Sequence, residues 1–267
     1  MGTNNRWMQS LESRRLLSGT VLVGAHGVLH IVLDKHTNNV SVGYSDVAGS
    51  TIVVDIDGVD TTIPQTGDAK LVKEMIIHCG AGSDTVSVTP GDGTTIKDWG
   101  INTVVRCGGG NDVVTTGNEN DLIFGGAGHD TITAGNGNDS IFGGGGADSI
   151  TAGSGSDLIM GGGSAGSQGH STITVAGGND TLFGLAGDDV ITCGNGATVN
   201  VFAGNGDTIN AGTGADTVYV AGKSKVVING TATMTHVPWT KAAMHRFKMY
   251  FRAIANAEAQ AAQAVNY

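Results

Sequence analysis

Between Cys107 and Tyr219 the chain repeats every nine residues, as CGGGNDVVT, TGNENDLIF, GGAGHDTIT, AGNGNDSIF, GGGGADSIT and AGSGSDLIM. Small residues hold positions 1 and 2 of each unit, Gly usually holds 4, Asp holds 6 and an apolar residue holds 8. The apolar column runs Val114, Ile123, Ile132, Ile141, Ile150, Ile159, then Ile173, Leu182, Ile191, Ile209 and Val218. Nine is the period of neither a helix nor a strand, so it predicts a stack of small repeated units. Six glycine-rich residues make a tight turn and three make a minimal strand with one side chain inward. A three-residue strand is unstable alone, but a neighbour above and below supplies both ladder partners and core. Two units make one coil, so units of one parity form one sheet and units of the other parity the second.

The same register stacks the acids. Asp112, Asp121, Asp130, Asp139, Asp148, Asp157, Asp180, Asp189, Asp207 and Asp216 all fall at position 6. In-register rungs set such carboxylates roughly 5 Å apart, the spacing of paired strands. Like charges that close need neutralising. A hard divalent cation suits them, since calcium accepts six to eight oxygens from carboxylates and backbone carbonyls. The plain rival is a solvated row of surface aspartates.

GGAGHDTIT (Gly125 to Thr133) and GGGGADSIT (Gly143 to Thr151) resemble the RTX, or haemolysin-type, nonapeptide G-G-x-G-x-D-x-U-x at every defined position. The resemblance implies a right-handed parallel β-roll with calcium between successive turns, the ten aspartates being the metal ligands with turn carbonyls. Pairs of aspartates two repeats apart number six: Asp112/Asp130, Asp121/Asp139, Asp130/Asp148, Asp139/Asp157, Asp157/Asp180 and Asp189/Asp207. About six well-formed calcium sites are therefore expected. Ser171 and Thr198 stand at position 6 of their units and interrupt the pairing. The ten-residue unit CGNGATVNVF and the eight-residue AGNGDTIN together restore register. Lys225 at position 6 of VAGKSKVVI, whose apolar phase runs through Val227, is expected to end the stack.

Composition supports an acidic, metal-seeking chain. Glycine supplies 45 of 267 residues and the net charge is −10, which argues against nucleic acid as a partner. No apolar run reaches the length of a membrane span. Cys79, Cys107 and Cys193 fall at position 1, read as an inward, small apolar site. Counting rungs through Ile96 and Val105, with Thr94 and Thr103 in the Asp phase, sets Cys79 and Cys107 on opposite sheets, so no disulfide is expected.

The flanks differ. LESRRLLSG (Leu11 to Gly19) is similar to the LEPRxLLS element near the start of many secreted or surface proteins of planctomycetes, with Ser13 where that element has Pro. Residues 1–20 are accordingly read as a leader or targeting-like segment. Residues 21–78 alternate without a nine-residue period and read as an antiparallel β cap. The good isolated repeat CGAGSDTVS then opens a roll over 79–228, and 229–267 form a tail. Within that tail TKAAMHRFKMYFRAIANAEAQAAQA, from Thr240, has the composition and the stripe (Met244, Phe247, Phe251, Ile254) of an amphipathic helix. The expected fold is thus all-β, a right-handed parallel β-roll with an N-terminal β cap and a C-terminal α-helix.

Position 9 points outward and splits by parity. One sheet shows Thr115, Thr133, Thr151, Thr174 and Thr192, the other Phe124, Phe142, Met160, Phe183, Phe202 and Tyr219, expected to form a continuous exposed apolar strip. The histidines are scattered and read as surface residues. No catalytic constellation is recognisable. The leading expectation is calcium binding by a secreted or cell-surface structural or adhesion roll, with calcium-dependent folding and a cell-surface glycan or surface protein as partner. The alternatives are a polysaccharide-binding or lyase/epimerase-like solenoid, and ice binding through the threonine ladder.

Overall fold

A computed structural model describes residues 19–24, 27–44, 51–64, 72–88, 100–162, 169–185, 187–195, 198–203, 206–221 and 225–237. The described residues form 21 strands and no α-helix, so the fold is an all-β parallel roll. The expectation of a C-terminal helix is corrected accordingly. The described chain ends in a strand at Val237, and residues 240–264, where the helix was expected, lie outside it. LESRRLLSG lies outside the described residues but for Gly19, and so do Thr94 and Ile96.

Two parallel stacks carry the roll. The first holds β2 (Val28–Leu33), β6 (Glu74–His78), β8 (Asn102–Gly109), β10 (Leu122–Ala127), β12 (Ser140–Gly145), β14 (Leu158–Gly162), the end of β15 (Thr172–Leu185), β17 (Thr198–Ala203), β19 (Asp216–Ala221) and β21 (Ala232–Val237). The second holds β3 (Asn39–Tyr44), β7 (Thr85–Val88), β9 (Val113–Thr115), β11 (Thr131–Thr133), β13 (Ser149–Gly155), the start of β15, β16 (Val190–Thr192), β18 (Thr208–Asn210) and β20 (Val227–Asn229). Strand β15 runs unbroken from one stack into the other, pairing through Thr172–Thr174 on one side and Thr181–Phe183 on the other.

The inward columns are as the period predicts. Val105, Ile123, Ile141, Ile159, Leu182, Val201 and Val218 stack in register on one side, and Val114, Ile132, Ile150, Ile173, Ile191 and Ile209 on the other, all buried. Position 1 is inward too, since Cys79, Cys107, Ala134, Ala152 and Cys193 are buried. Each inward aliphatic side chain lies on another one rung away, mostly β-branched on β-branched, which suits a pleated surface.

Parallel rungs extend on both sides of the tract with the visible period. Strands β2 and β3 pair parallel with β6 and β7 at an offset of 46 residues (Ile31 to Ile77, Val40 to Val86). The antiparallel members of the N-terminal region are β1 (Gly19–Val23), laid on β2, and the hairpin β4 (Thr51–Ile56) and β5 (Val59–Pro64), laid on β3. Their tight turn uses Asp57 and Gly58 at positive φ, with the Gly58 N–H donating to Asp55 Oδ1 at 2.9 Å.

Three register details depart from the repeat count. Val86 pairs with Val114, an advance of 28 residues where a regular coil advances 18, and Ile77 pairs with Val105, also 28. One coil thus carries ten extra residues and not an extra rung, which puts Cys79 and Cys107 on the same stack, one above the other; all three cysteines are free. Asp180 pairs with Val199 (19 residues) and Val201 with Val218 (17), so the surplus and deficit do cancel, but Val199 rather than Thr198 takes the acid's place. At the far end Ile209 pairs with Ile228, so Ile228 points inward and Val227 is exposed. Lys225 falls one residue short of the acid register and does not end the stack, because β21 still pairs with β19.

The columns set a clear energetic contrast. Ile141→Ala, inside a closed column, should cost about 2–5 kcal/mol of stability in the calcium-loaded protein. Val227→Ala, half exposed at the last rung, should stay within about 0.5 kcal/mol of the parent. Thermal melts of the two variants in saturating calcium compare them directly.

Candidate metal centre

The site is built from the turns between the stacks. Successive turns sit so close that a carbonyl of one rung occupies the space a side chain would need in the next. At Gly128, which has φ of 142°, a Cβ would collide with the Gly110 carbonyl, and at Gly146 with that of Gly128. Only glycine tolerates both the backbone angle and the approach. The turn carbonyls are thereby brought into a file along the roll, beside the aspartates.

All ten predicted aspartates are buried, none more than 3% exposed. One carboxylate oxygen of each is used by the fold. The backbone N–H of Asp112 donates to Asp130 Oδ1 at 2.9 Å, that of Asp130 to Asp148 at 2.9 Å, and that of Asp121 to Asp139 at 2.8 Å. Asp139 donates to Asp157 at 2.9 Å, Asp157 to Asp180 at 2.9 Å and Asp189 to Asp207 at 3.1 Å. These are the six pairs that parity brings together. Ser171 interrupts the file as a hydroxyl, accepting the Asp148 N–H at 3.2 Å and donating its own N–H to Asp189 Oδ1 at 2.8 Å. Asp216 accepts the Val199 N–H at 3.1 Å and so has no acid as its immediate partner.

The second oxygen is different. Oδ2 of Asp112, Asp130, Asp139, Asp148, Asp157, Asp180, Asp189 and Asp216 is buried and receives no hydrogen bond from the protein. A Cβ built on Gly125 would fall between Asp130 Oδ2 and the Gly143 carbonyl, and one on Gly143 between Asp148 Oδ2 and the Gly161 carbonyl. At Gly184 it would meet two carboxylates, Asp207 Oδ2 at 2.7 Å and Asp189 Oδ2 at 2.9 Å. These are small spaces walled by oxygen and kept open by the missing side chain. Among the described residues no cluster of three or more acidic, histidine or cysteine groups occurs. Carboxylates therefore come in pairs, and further ligands have to be carbonyls. An all-oxygen set of that kind fits calcium and not the transition metals, which seek nitrogen or sulfur.

The electrostatics agree. Burial pushes Asp112, Asp121, Asp130 and Asp157 up to about 6 and Asp139 and Asp189 up to about 7, opposed by the backbone N–H bonds. Neighbouring acids add to the rise, Asp121 and Asp157 at Asp139, and Asp207, Asp188 and Asp148 at Asp189. Asp148 and Asp180 are raised by burial as well.

Two contributors go beyond the pairs read from the period. Asp84, at position 6 of the repeat CGAGSDTVS, joins the file by donating its N–H to Asp112 Oδ1 at 2.7 Å, a 28-residue relation that the ten-residue excursion hides. Position 5 forms a second ladder of opposite sense. Asn111 Oδ1 accepts the His129 N–H at 2.8 Å, His129 Nδ1 the Ala147 N–H at 2.9 Å, Asn120 Oδ1 the Asn138 N–H at 2.7 Å, and His170 Nδ1 the Asp188 N–H at 3.1 Å. The frequency of Asn, Ser and His at that position is its only trace in the sequence.

The outer faces are partly as expected. Phe124 and Phe142 stack at 5.0 Å, Phe183 and Phe202 at 4.6 Å, Phe202 and Tyr219 at 4.8 Å, and Arg106 lies over Phe124. The strip is not continuously exposed, however, because Met160 and Phe183 in its middle are buried. The threonines of the other face stand in register from Thr115 to Thr192, with Asn210 and Asn229 continuing the line.

The family model of the RTX calcium-binding nonapeptide repeat matches the chain in four copies, over residues 108–141, 133–166, 165–199 and 203–222. No curated protein and no solved structure matches it. No match falls on the N-terminal LESRRLLSG element, and the planctomycete resemblance is not supported. Among the described residues no helix is long and apolar enough to cross a membrane.

Two results should follow from the ladder. Unfolded aspartates titrate near 3.8, whereas burial raises folded Asp112, Asp121, Asp130 and Asp157 to about 6 and Asp139 and Asp189 to about 7. The folded state thus holds protons more tightly. Without metal its stability should be greatest below about pH 4 and fall as pH rises through 6 and 7. Calcium reverses that loss by displacing the protons, so its affinity should rise between pH 5.5 and 7.5, with proton release visible in buffers of different ionisation heat. Separately, Asp130 joins two acid pairs and Asp216 none. Asp130→Ala should lower both calcium stoichiometry and melting temperature more than Asp216→Ala, by calorimetric titration and melting.

Proposed function

We propose that this calcium-binding β-roll is a secreted or cell-surface structural element of adhesion type. Its aspartate file (Asp112, Asp121, Asp130, Asp139, Asp148, Asp157, Asp180, Asp189, Asp207 and Asp216) would take about six calcium ions and make folding calcium-dependent. The observation that carries the reading is the row of buried Oδ2 atoms without a hydrogen-bond partner, with those of Asp130, Asp148 and Asp189 set beside glycine-lined space. Leaving so many buried carboxylate oxygens unmet is costly unless a cation meets them. The matched repeats supply independent support.

The ion's contribution is charge neutralisation between rungs. The chain supplies the rest. Asp Oδ1 holds the preceding turn by its N–H, glycine keeps the carbonyl file open, and the isoleucine columns fix the rung spacing at which the two carboxylates of a pair would hold an ion. RTX repeats are typical of secreted and surface proteins, where calcium is plentiful, which supports the localisation. The repeat family supports a structural role. A glycan or a surface protein remains the proposed partner class. The buried middle of the aromatic strip and the irregular position 7 of the threonine face (Val113 and Val190 among threonines and a serine) favour neither the polysaccharide nor the ice alternative.

Circular dichroism at neutral pH should show a largely disordered repeat tract in EDTA and a β-rich one in millimolar calcium. Magnesium, which demands a tight octahedron, should restore little of it. Identical spectra in EDTA and calcium would refute the reading.

A further inference from the structure

The turn ahead of β3 repeats the architecture of the calcium turns without their sequence. Val32 pairs with His78 and Asn39 with Thr85, both at an offset of 46, so residues 33–38 lie one for one beneath 79–84. LDKHTNNVS (Leu33 to Ser41) is thereby aligned with CGAGSDTVS (Cys79 to Ser87). The stacking is the same. A Cβ on Gly80 would lie 2.7 Å from the Asp34 carbonyl oxygen and one on Gly82 would collide with the His36 carbonyl, as Gly108 and Gly110 do with the carbonyls of Gly80 and Gly82. The hydrogen bonds are the same. Asn38 donates its N–H to Asp84 Oδ1 at 2.7 Å, as Asp84 does to Asp112. Thr37 Oγ1 accepts the Ser83 N–H at 3.4 Å, as Ser83 Oγ accepts that of Asn111 at 3.0 Å. Glycine is needed where a turn lies beneath another, and the first turn of a stack has none beneath it. A rung free of glycine is what a first rung should look like.

Its acid is also replaced. Asn38 is 1% exposed, and its Nδ2 donates to the His36 carbonyl at 2.6 Å and to Asp84 Oδ1 at 3.2 Å. A carbonyl and a carboxylate of neighbouring rungs are thus bridged by an amide, the two kinds of oxygen that a cation would bridge elsewhere. Each of these rungs leaves one buried side-chain oxygen unmet, and the difference is its charge: at Asn38 it is the neutral amide Oδ1, whereas at Asp84, and at Asp112 on the next rung, it is a carboxylate Oδ2.

We propose that the cation file begins between Asp84 and Asp112, upstream of the matched repeats at residue 108, and that Asn38 closes it, its amide standing where an ion would. This rests on the calcium reading above and extends it by one divalent-cation site and one metal-free rung. The metal-free rung gives the N-terminal strands a finished turn that does not wait for calcium, and on which the next turn can be laid. An aspartate at 38 would add a buried carboxylate at the end of the file, whereas the amide is neutral and brings its own donors.

The test uses the full chain and counts calcium by elemental analysis of saturated, gel-filtered protein. Asp84→Asn keeps an Oδ1 to accept the Asn38 N–H and sets an Nδ2 where the unmet oxygen was, so it should fold in calcium and bind one ion fewer than the parent. Asn38→Asp should bind one ion more, and hydrogen exchange at β2 and β3 should become faster in EDTA than in the parent. An unchanged count in Asp84→Asn overturns the proposal. So does an Asn38→Asp variant that gains no ion, or that fails to fold in saturating calcium, since the carboxylate is then not neutralised there. If Asp84→Asn itself does not fold, Asn38→Asp decides. A parent chain that takes up no calcium would instead refute the reading of the whole file, a result distinct from these.

Discussion

The structure depends on one electrostatic constraint: buried carboxylates stacked at the spacing of paired strands. The spacing is not chosen for the acids. It is set by the backbone ladder and by isoleucine columns such as Ile123, Ile141 and Ile159. Asp139 and Asp157 must accept it because they are two residues from those columns. The fold uses one oxygen of each to hold the turn before it, and the other is buried and receives no hydrogen bond from the protein. Hydrophobic stacking and carboxylate repulsion thus act along the same axis with opposite sign, and the ion decides which prevails. Without it, protonation is the only other way to quiet the file, which is why burial pushes these groups toward neutrality.

Glycine belongs to the same argument. The closeness that lets the carbonyls of Gly108, Gly126 and Gly144 file past one another leaves no room for a Cβ. Those glycines carry a large conformational-entropy cost on folding. A glycine-rich turn is therefore unfavourable alone and favourable only when stacked with its cation in place. Folding and metal binding become one transition because the residues that make the site are the residues that make the turn unstable without it.

The regular part of this was legible from the sequence because a strict period converts position directly into register. The inward columns and the six acid pairs follow from counting alone. What counting missed has a common physical cause: turns tolerate extra residues as long as the strands still meet. The ten surplus residues before Val105 moved Cys79 and Cys107 onto one stack and concealed the pairing of Asp84 with Asp112. A single surplus residue put Val199 where Thr198 was expected, and another put Ile228 rather than Val227 inward. The Leu33 to Ser41 rung was invisible for the opposite reason. Its backbone obeys the repeat, but the residues that advertise the repeat, glycine and aspartate, are needed only where a rung lies beneath or an ion is held. Burial of Met160 and Phe183 was beyond a reading of alternation, which tells outward from inward but not what else covers a face.

A one-dimensional stack also has to end, and its two ends differ here. At the start, β1 lies antiparallel on β2 and β4 on β3, so the first parallel strands meet a partner on both sides and Ile31 and Val40 are buried. At the far end the inward column passes from Val218, fully buried, to Met234, 47% exposed. Since each rung is stabilised mainly by its neighbours, cooperativity should be strongest from the covered start and weakest at the last rung of the described residues. The acids form one file on each stack. One runs unbroken from Asp84 to Asp148, is interrupted at Ser171 and resumes at Asp189 and Asp207; the other follows Thr103 with an unbroken run from Asp121 to Asp180 and is interrupted at Val199 before Asp216. Both files are thus interrupted toward the far end, where the inward column is also most exposed, because one register sets both.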